Sequence, residues 1–245
     1  MTAFPYRLTE ATAPRLGLIV LQVDETIEQD FRKLFAPGSA QLHVTRVPSG
    51  EVLTPETIAR MGTQLTASAA LLPPAVEFDV VGYACTSATA SIGADRVREL
   101  VQDGAATNAV TNPMSAALAA TETLRIRRIG IVSPYIASVG KSLADAFQAH
   151  GLAVDETLSF AEEIEARVAR IDPASTAEAA RVLTQRNDLD GLFLSCTNLR
   201  TLDIIDDLEA ELDLPVLSSN QVLAWHMARL SRATCADAPG RLLRV

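Results

Sequence analysis

The sequence predicts an α/β protein: two similar Rossmann-like (flavodoxin-like) lobes with parallel sheets, related by pseudo-twofold symmetry, with the active site in the cleft between them. Three observations predict it. Short apolar runs alternate with stretches of helical periodicity, the pattern of parallel strands covered by helices on both faces. The alternation restarts near residue 123. Two stretches, "DVVGYACTSATA" and "DGLFLSCTNLRT", each run from an Asp through an apolar strand to a Cys followed by Thr.

Residues 15–22 (RLGLIVLQ) are continuously apolar and rich in β-branched side chains, which reads as a buried strand. Residues 24–35 place Ile27, Phe31, Leu34 and Phe35 at helical spacing, with acids at the start where the helix dipole favours them. A turn (APGSA) and an alternating strand (QLHVTRVP) follow. Thr54 reads as the cap of the next helix and Pro55 as its first residue. Then come a strand at 78–85, a polar loop (TSATASIG), a helix at 93–104, a short strand at 105–113 and a helix at 114–124.

The second half repeats this order: strand 127–135, helix 136–151 closed by Gly151, strand 152–160, helix 175–187, strand 189–196, helix 201–213, strand 214–220 and helix 221–232. Gly17 overlays on Gly130, Cys85 on Cys196 and Asn112 on Asn220, at offsets of 113, 111 and 108. The near-constant offset reads as an internal duplication. It sets the expected lobes at residues 1–122 with 221–245, carrying Cys85, and 123–220, carrying Cys196.

Composition narrows the function. The chain has 245 residues, 48% of them hydrophobic, enough for a sizeable core. A net charge of −9 leaves no basic surface to release counterions from a phosphate backbone, so no nucleic-acid partner is expected. No apolar run reaches the ~18 residues of a membrane span, and the N-terminus lacks the pattern of a leader, so no membrane partner is expected. Three scattered cysteines do not make a disulfide framework, and a reducing cytoplasm is the expected compartment. His43, His150 and His226 are too dispersed to suggest a metal site. Apolar helix faces make a homo-oligomer the expectation.

In an open parallel sheet, ligands sit beyond the carboxyl ends of the strands, where this reading puts Cys85 and Cys196. The backbone N–H groups of Thr86, Ser87, Thr197 and Asn198 would face a carboxylate near a helix start. Such a place would also lower a cysteine's pKa. One thiolate could remove the proton beside a carboxylate or attack a double bond. The other thiol would protonate the opposite face, while the donors hold the enolate oxygens. No cofactor is called for, and the partner is a small-molecule carboxylate. The competing readings are two ordinary core cysteines, or a binding protein without chemistry. Cys235 reads as an exposed bystander, Tyr83 and His226 as packing, and the Ser49–Gly50 loop as an ordinary connection.

These residues resemble the aspartate/glutamate racemase superfamily, in the branch holding maleate cis–trans isomerases, arylmalonate decarboxylases and ectoine-utilisation proteins. The resemblance runs from "GLIVLQVDETIEQDF" through "VPSGEVLTPET", "GYACTSATASIG" and "GIVSPY" to "LFLSCTNLRTLDIIDDLE" and "PVLSSNQVLAWHMAR". It implies that Cys85 is a nucleophile or base, Cys196 an acid/base, and Tyr135 a donor to the substrate carboxylate. Thr86 and Ser87 would shape the carboxylate pocket. Arylmalonate decarboxylases keep only the second cysteine, so the presence of both speaks for isomerisation. Maleate isomerases carry asparagine where this chain has Asp24 and where Thr89 and Glu165 align. An asparagine amide suits a second carboxylate, whereas Asp24 would repel one and pair with an ammonium. "LQVDETIE" is similar to ectoine-utilisation proteins, which implies a substrate such as an acylated diamino acid from ectoine breakdown. Asp24 also reads as a helix cap. Maleate isomerisation and malonate decarboxylation stay as alternatives.

Overall fold

The computed structural model describes residues 3–9, 12–235 and 238–245. The first lobe holds β1 (Arg15–Leu21), α1 (Ile27–Leu34), β2 (Gln41–Val47), α2 (Pro55–Ala69), β3 (Val80–Ala84), α3 (Thr86–Ile92), α4 (Ala94–Gln102), β4 (Val110–Thr111) and α5 (Pro113–Thr123). The second holds β5 (Arg128–Ser133), α6 (Ala137–Ala149), β6 (Ala153–Ser159), α7 (Glu165–Val168), α8 (Pro173–Arg186), β7 (Gly191–Leu194), α9 (Ile205–Leu212) and β8 (Val216–Ser218). The last long helix, α10 (Ser219–Ser231), packs back on α5, β3 and α1 of the first lobe.

Both sheets are parallel and both have one order: β2-β1-β3-β4 and β6-β5-β7-β8. Adding four to each number of the first order gives the second, so the duplication read in the sequence is a duplication of topology. The overlaid glycines share a physical job. A Cβ on Gly17 would lie 2.9 Å from Val81 and 3.0 Å from Leu72, and one on Gly130 would lie 2.6 Å from Leu189 and 2.7 Å from Leu183. In each lobe a leucine presses on the central strand where only glycine leaves room. The strands that lead to the cysteines, β3 and β7, are buried along their whole length, which explains their unbroken apolar character.

Three local expectations change. "TSATASIG" is no loop: α3 begins immediately after Cys85. A hydroxyl can be satisfied within the helix, as when Thr89 Oγ1 donates to the Cys85 carbonyl at 2.7 Å, and no breaker intervenes until Gly93, at φ 93°. The short α7 was not foreseen. And α10 starts at Ser219, capped by Ser218 in a capping box with Gln221, so Asn220 lies inside a helix rather than at a strand end.

Contacts clamp the lobes. Val52 bridges Ile164, Leu53 N–H donates to the Glu163 carbonyl and Glu165 N–H to the Glu51 carbonyl, both at 3.0 Å. Arg170 pairs with Glu25 at 2.9 Å, and Lys33 with Asp203 at 2.7 Å. Among the described residues no helix is long and apolar enough to cross a membrane.

Candidate active site

Cys85 follows β3 and Cys196 closely follows β7, equivalent strands of the two sheets. Both are buried, at 2% and 6% exposure, in a single core cluster that also holds Tyr135. Each lobe thus supplies one sulfur to one interior. The groups around them sense both: Glu165 and Asp24 raise both thiol pKa values, Cys85 raises that of Cys196, and both cysteines raise that of Tyr135.

Thiol ionisation departs from the expectation. Burial pushes Cys85 up to about 11, against the Ala88 N–H and the Ser87 hydroxyl, with Glu165 and Asp24 adding to the rise. Burial, then the charge of Glu165, pushes Cys196 well above its ordinary value. The start of α3 does reach Cys85, whose Sγ accepts from Ala88 N–H at 3.4 Å and lies 3.6 Å from Ser87 Oγ. No helix starts at Thr197; α9 begins only at Ile205. The resting site therefore holds two neutral thiols, because removal from water and two nearby acids outweigh one helix terminus.

The remaining residues of the sequence reading meet here in different ways. Thr86 Oγ1 lies 2.8 Å from Ser219 Oγ, which accepts the Cys196 N–H at 3.0 Å. Ser219 thus links the two cysteine loops, and sequence reasoning missed it; the doubled serine of "LSSN" was its only trace. Thr197 Oγ1 donates weakly to the Ala84 carbonyl at 3.4 Å. Asn198 is a hub: its Oδ1 accepts the Glu25 N–H at 2.9 Å, its carbonyl accepts the Thr26 hydroxyl at 2.9 Å, and its Nδ2 donates to Glu165 Oε2 at 2.8 Å. Its amide is occupied in joining α1 to α7. Tyr135 is buried and receives the Ser195 hydroxyl at 3.4 Å. Burial raises its pKa well above the ordinary phenol value, so it is a donor. Tyr83, read as packing, has a fully enclosed hydroxyl that faces Cys85, and burial, then Cys85, raises its pKa well above the ordinary phenol value.

Asp24 both caps and lines the site. Its Oδ1 accepts the N–H groups of Thr26 and Ile27 at 2.8 and 2.9 Å, and the Thr197 side chain and the charge of Arg46 also act on the carboxylate. Burial raises the pKa of Asp24, and raises Glu165 to about 7. Behind them Asp30 accepts the Asn220 amide at 2.8 Å and is raised by burial to about 6. A surface cleft of about 300 Å³, lined by Glu25, Asp30, Lys33 and Arg200 among others, touches this acid network but neither cysteine. His226 bonds Thr111 at 2.8 Å, and Cys235 is half-buried rather than exposed.

Fold and site together define a two-lobed α/β protein with a paired-cysteine centre enclosed between its lobes. The chain belongs to the arylmalonate decarboxylase family, whose model matches residues 75–243. Over 242 residues it is 26% identical to a maleate isomerase of Nocardia farcinica, covering 94% of this chain and 95% of that one. An arylmalonate decarboxylase of Bordetella bronchiseptica is 30% identical over 131 residues, 53% of this chain and 55% of the relative. A solved Nocardia farcinica maleate cis–trans isomerase, carrying a covalently bound succinylcysteine intermediate, shares the fold with a TM-score of 0.81 at 23% identity, over 95% of this chain and 98% of that one.

Proposed function

We propose that the protein is a cofactor-independent isomerase or racemase that uses Cys85 and Cys196 on a small carboxylate, an amino-acid derivative such as those of ectoine breakdown. The observation that carries this is the placement of one cysteine from each lobe in a single buried cluster with Tyr135. The substrate carboxylate would lie against the N–H groups at the start of α3 and the Tyr135 hydroxyl. One cysteine, as thiolate, takes the hydrogen beside the carboxylate as a proton. The electron pair moves into the carboxylate as an enolate, held by those donors. The other cysteine gives its S–H proton to the opposite face. One proton is taken up and one returned, so the sulfurs exchange roles and no oxidant is needed. The similarity of "LQVDETIE" to ectoine-utilisation proteins supports the amino-acid derivative.

The test is deuterium exchange beside the carboxylate of candidate amino acids and acylated diamino acids in heavy water. Wild type should exchange, while Cys85→Ala and Cys196→Ala should not. Exchange unchanged in both variants would remove the mechanism. The full-length maleate isomerase relatives favour a second reading, cis–trans isomerisation through a covalent Cys85 adduct. Conversion of maleate to fumarate would select it, and carbon dioxide release from arylmalonates would select decarboxylation.

A further inference from the structure

Tyr83 lies on β3 two residues before Cys85, and nothing in the proposed reaction uses it. Cys85 keeps extended backbone, φ −148° and ψ 110°, so the alternation of the strand carries through to it and the two side chains leave the same face of the sheet. Both belong to the buried cluster that also holds Tyr135 and Cys196. Tyr83 has no exposed surface. Its hydroxyl is enclosed, meets no nitrogen or oxygen partner, and faces the Cys85 sulfur.

The duplication shows that this place needs no hydroxyl to fold. At the offset of 111 that overlays Cys85 on Cys196, Tyr83 overlays on Leu194, which is equally buried. A phenylalanine would fill the space of the Tyr83 ring. The enclosed hydroxyl has left water without an oxygen or nitrogen to replace it, which weakens the fold. Such a group persists where function uses it. The atom within its reach is the Cys85 sulfur, which from α3 has the Ala88 N–H at 3.4 Å and the Ser87 hydroxyl at 3.6 Å. The charged groups that Cys85 feels, Glu165 on α7 and Asp24 after β1, are acids that oppose a negative sulfur. The remaining titratable members of the cluster, Tyr135 and Cys196, bring no positive charge. Burial holds the Tyr83 proton on its oxygen, so the group is a donor.

We propose that Tyr83 is a further residue of the reaction, whose hydroxyl donates a hydrogen bond to the Cys85 sulfur whenever that sulfur carries negative charge. The inference rests on the proposed function and deepens it, since Cys85 acts as a thiolate both as a base and as the nucleophile of the second reading. The Tyr83 proton stays on its oxygen throughout. When the Cys85 S–H loses its proton, the O–H turns to the sulfur and the contact becomes a charge-assisted bond. When the sulfur takes the proton beside the substrate carboxylate, the charge passes to the enolate and the bond relaxes. Tyr83 thus serves the sulfur from the strand as Ala88 and Ser87 serve it from the helix. At the equivalent place in the second lobe stands Leu194, so the fold gives this hydroxyl to one sulfur of the pair.

The test is Tyr83→Phe in the intact protein. Each cysteine is alkylated with iodoacetamide from about pH 7 to 10 and followed by peptide mass, because alkylation reports the thiolate. The Phe variant should move the Cys85 profile up by about one pH unit, which slows its alkylation about tenfold below the midpoint, and should leave Cys196 within about twofold. In urea the variant should be as stable as wild type or more so, since it removes a poorly satisfied hydroxyl. Turnover should fall about tenfold with KM little changed. An unmoved Cys85 profile overturns the inference, and so does equal slowing of both cysteines, which would report access rather than charge. Unchanged turnover would deny the hydroxyl a part in the reaction. If Tyr83→Phe does not fold, Tyr83→Leu, the residue of the equivalent place, takes the same readings. Alkylation needs no substrate, so its failure leaves the deuterium-exchange test of the two cysteines standing, and failed exchange would not touch the alkylation result.

Discussion

Cys85 and Cys196 occupy equivalent strand ends, yet their surroundings differ. Cys85 sits in relaxed extended backbone, φ −148° and ψ 110°, and caps α3 with its sulfur. Cys196 sits at φ 137°, in the region that favours glycine, with no helix behind it. Such a backbone costs on the order of 1–3 kcal/mol and persists only where neighbours hold it. Here the holders are Ser219, which accepts the Cys196 N–H, and the Leu199 N–H, which donates to the Cys196 carbonyl at 3.3 Å. Duplication thus made two similar strand ends, and divergence gave the sulfurs different surroundings: the Ala88 N–H and the Ser87 hydroxyl face Cys85, the Asn198 N–H faces Cys196, and the charge of Glu165 weighs more on Cys196. Under the proposed function we assign Cys85 as the base and Cys196 as the proton donor.

The largest test of this asymmetry is kinetic. Cys85→Ala and Cys196→Ala should each lower turnover by about a thousandfold, within the range for general acid–base groups. Equal residual α-exchange in the two variants would erase the assigned roles. Next comes Glu165→Gln. The folded pKa of about 7 lies above the ordinary glutamate value of 4.5, so the fold holds this proton more tightly than the unfolded chain does. Its contribution to stability is complete below pH 4.5 and is lost as pH rises toward 7. The Gln variant should therefore be more stable near pH 8, by roughly 3 kcal/mol, with the gain vanishing near pH 4.5, as denaturant unfolding across pH would show. The same variant should speed alkylation of Cys196 more than that of Cys85, narrowing the difference between them.

Ser219→Ala should lower kcat about tenfold with KM little changed, since it loosens both cysteine loops without touching substrate, and should cost about 1 kcal/mol of stability. An unchanged kcat would mean that Ser219 is only a helix residue. The smallest effect concerns strain. At most positions glycine is less stable than alanine, but Cys196→Gly should match or exceed Cys196→Ala, by up to about 1 kcal/mol. A less stable Gly variant would show that the positive φ carries no strain.

Local rules made much of this legible. The Thr54 cap, the Pro55 start, the Gly151 stop and the buried runs of β3 and β7 follow from residues close in sequence. Cys85 and Cys196 were visible as a pair because duplication repeats a local pattern. Ser219 was hidden because its value lies in contacts with Thr86, which is 133 positions away, and with Cys196. Glu165 was found only through a resemblance, since the short helix that presents it is held by Glu51 and Asn198 from distant segments. The polar run after Cys85 was misread because hydroxyls that can cap a turn can equally bond back within a helix.

The sequence by itself determined the alternation of strands and helices, its repetition, and the cysteines at matching strand ends, because each depends on neighbours along the chain. Only the tertiary structure decided the strand order, the backbone twist at Cys196 and the direction in which the thiols titrate. A sulfur's charge depends on how much water it loses and which acids surround it, and those neighbours come from both lobes at once.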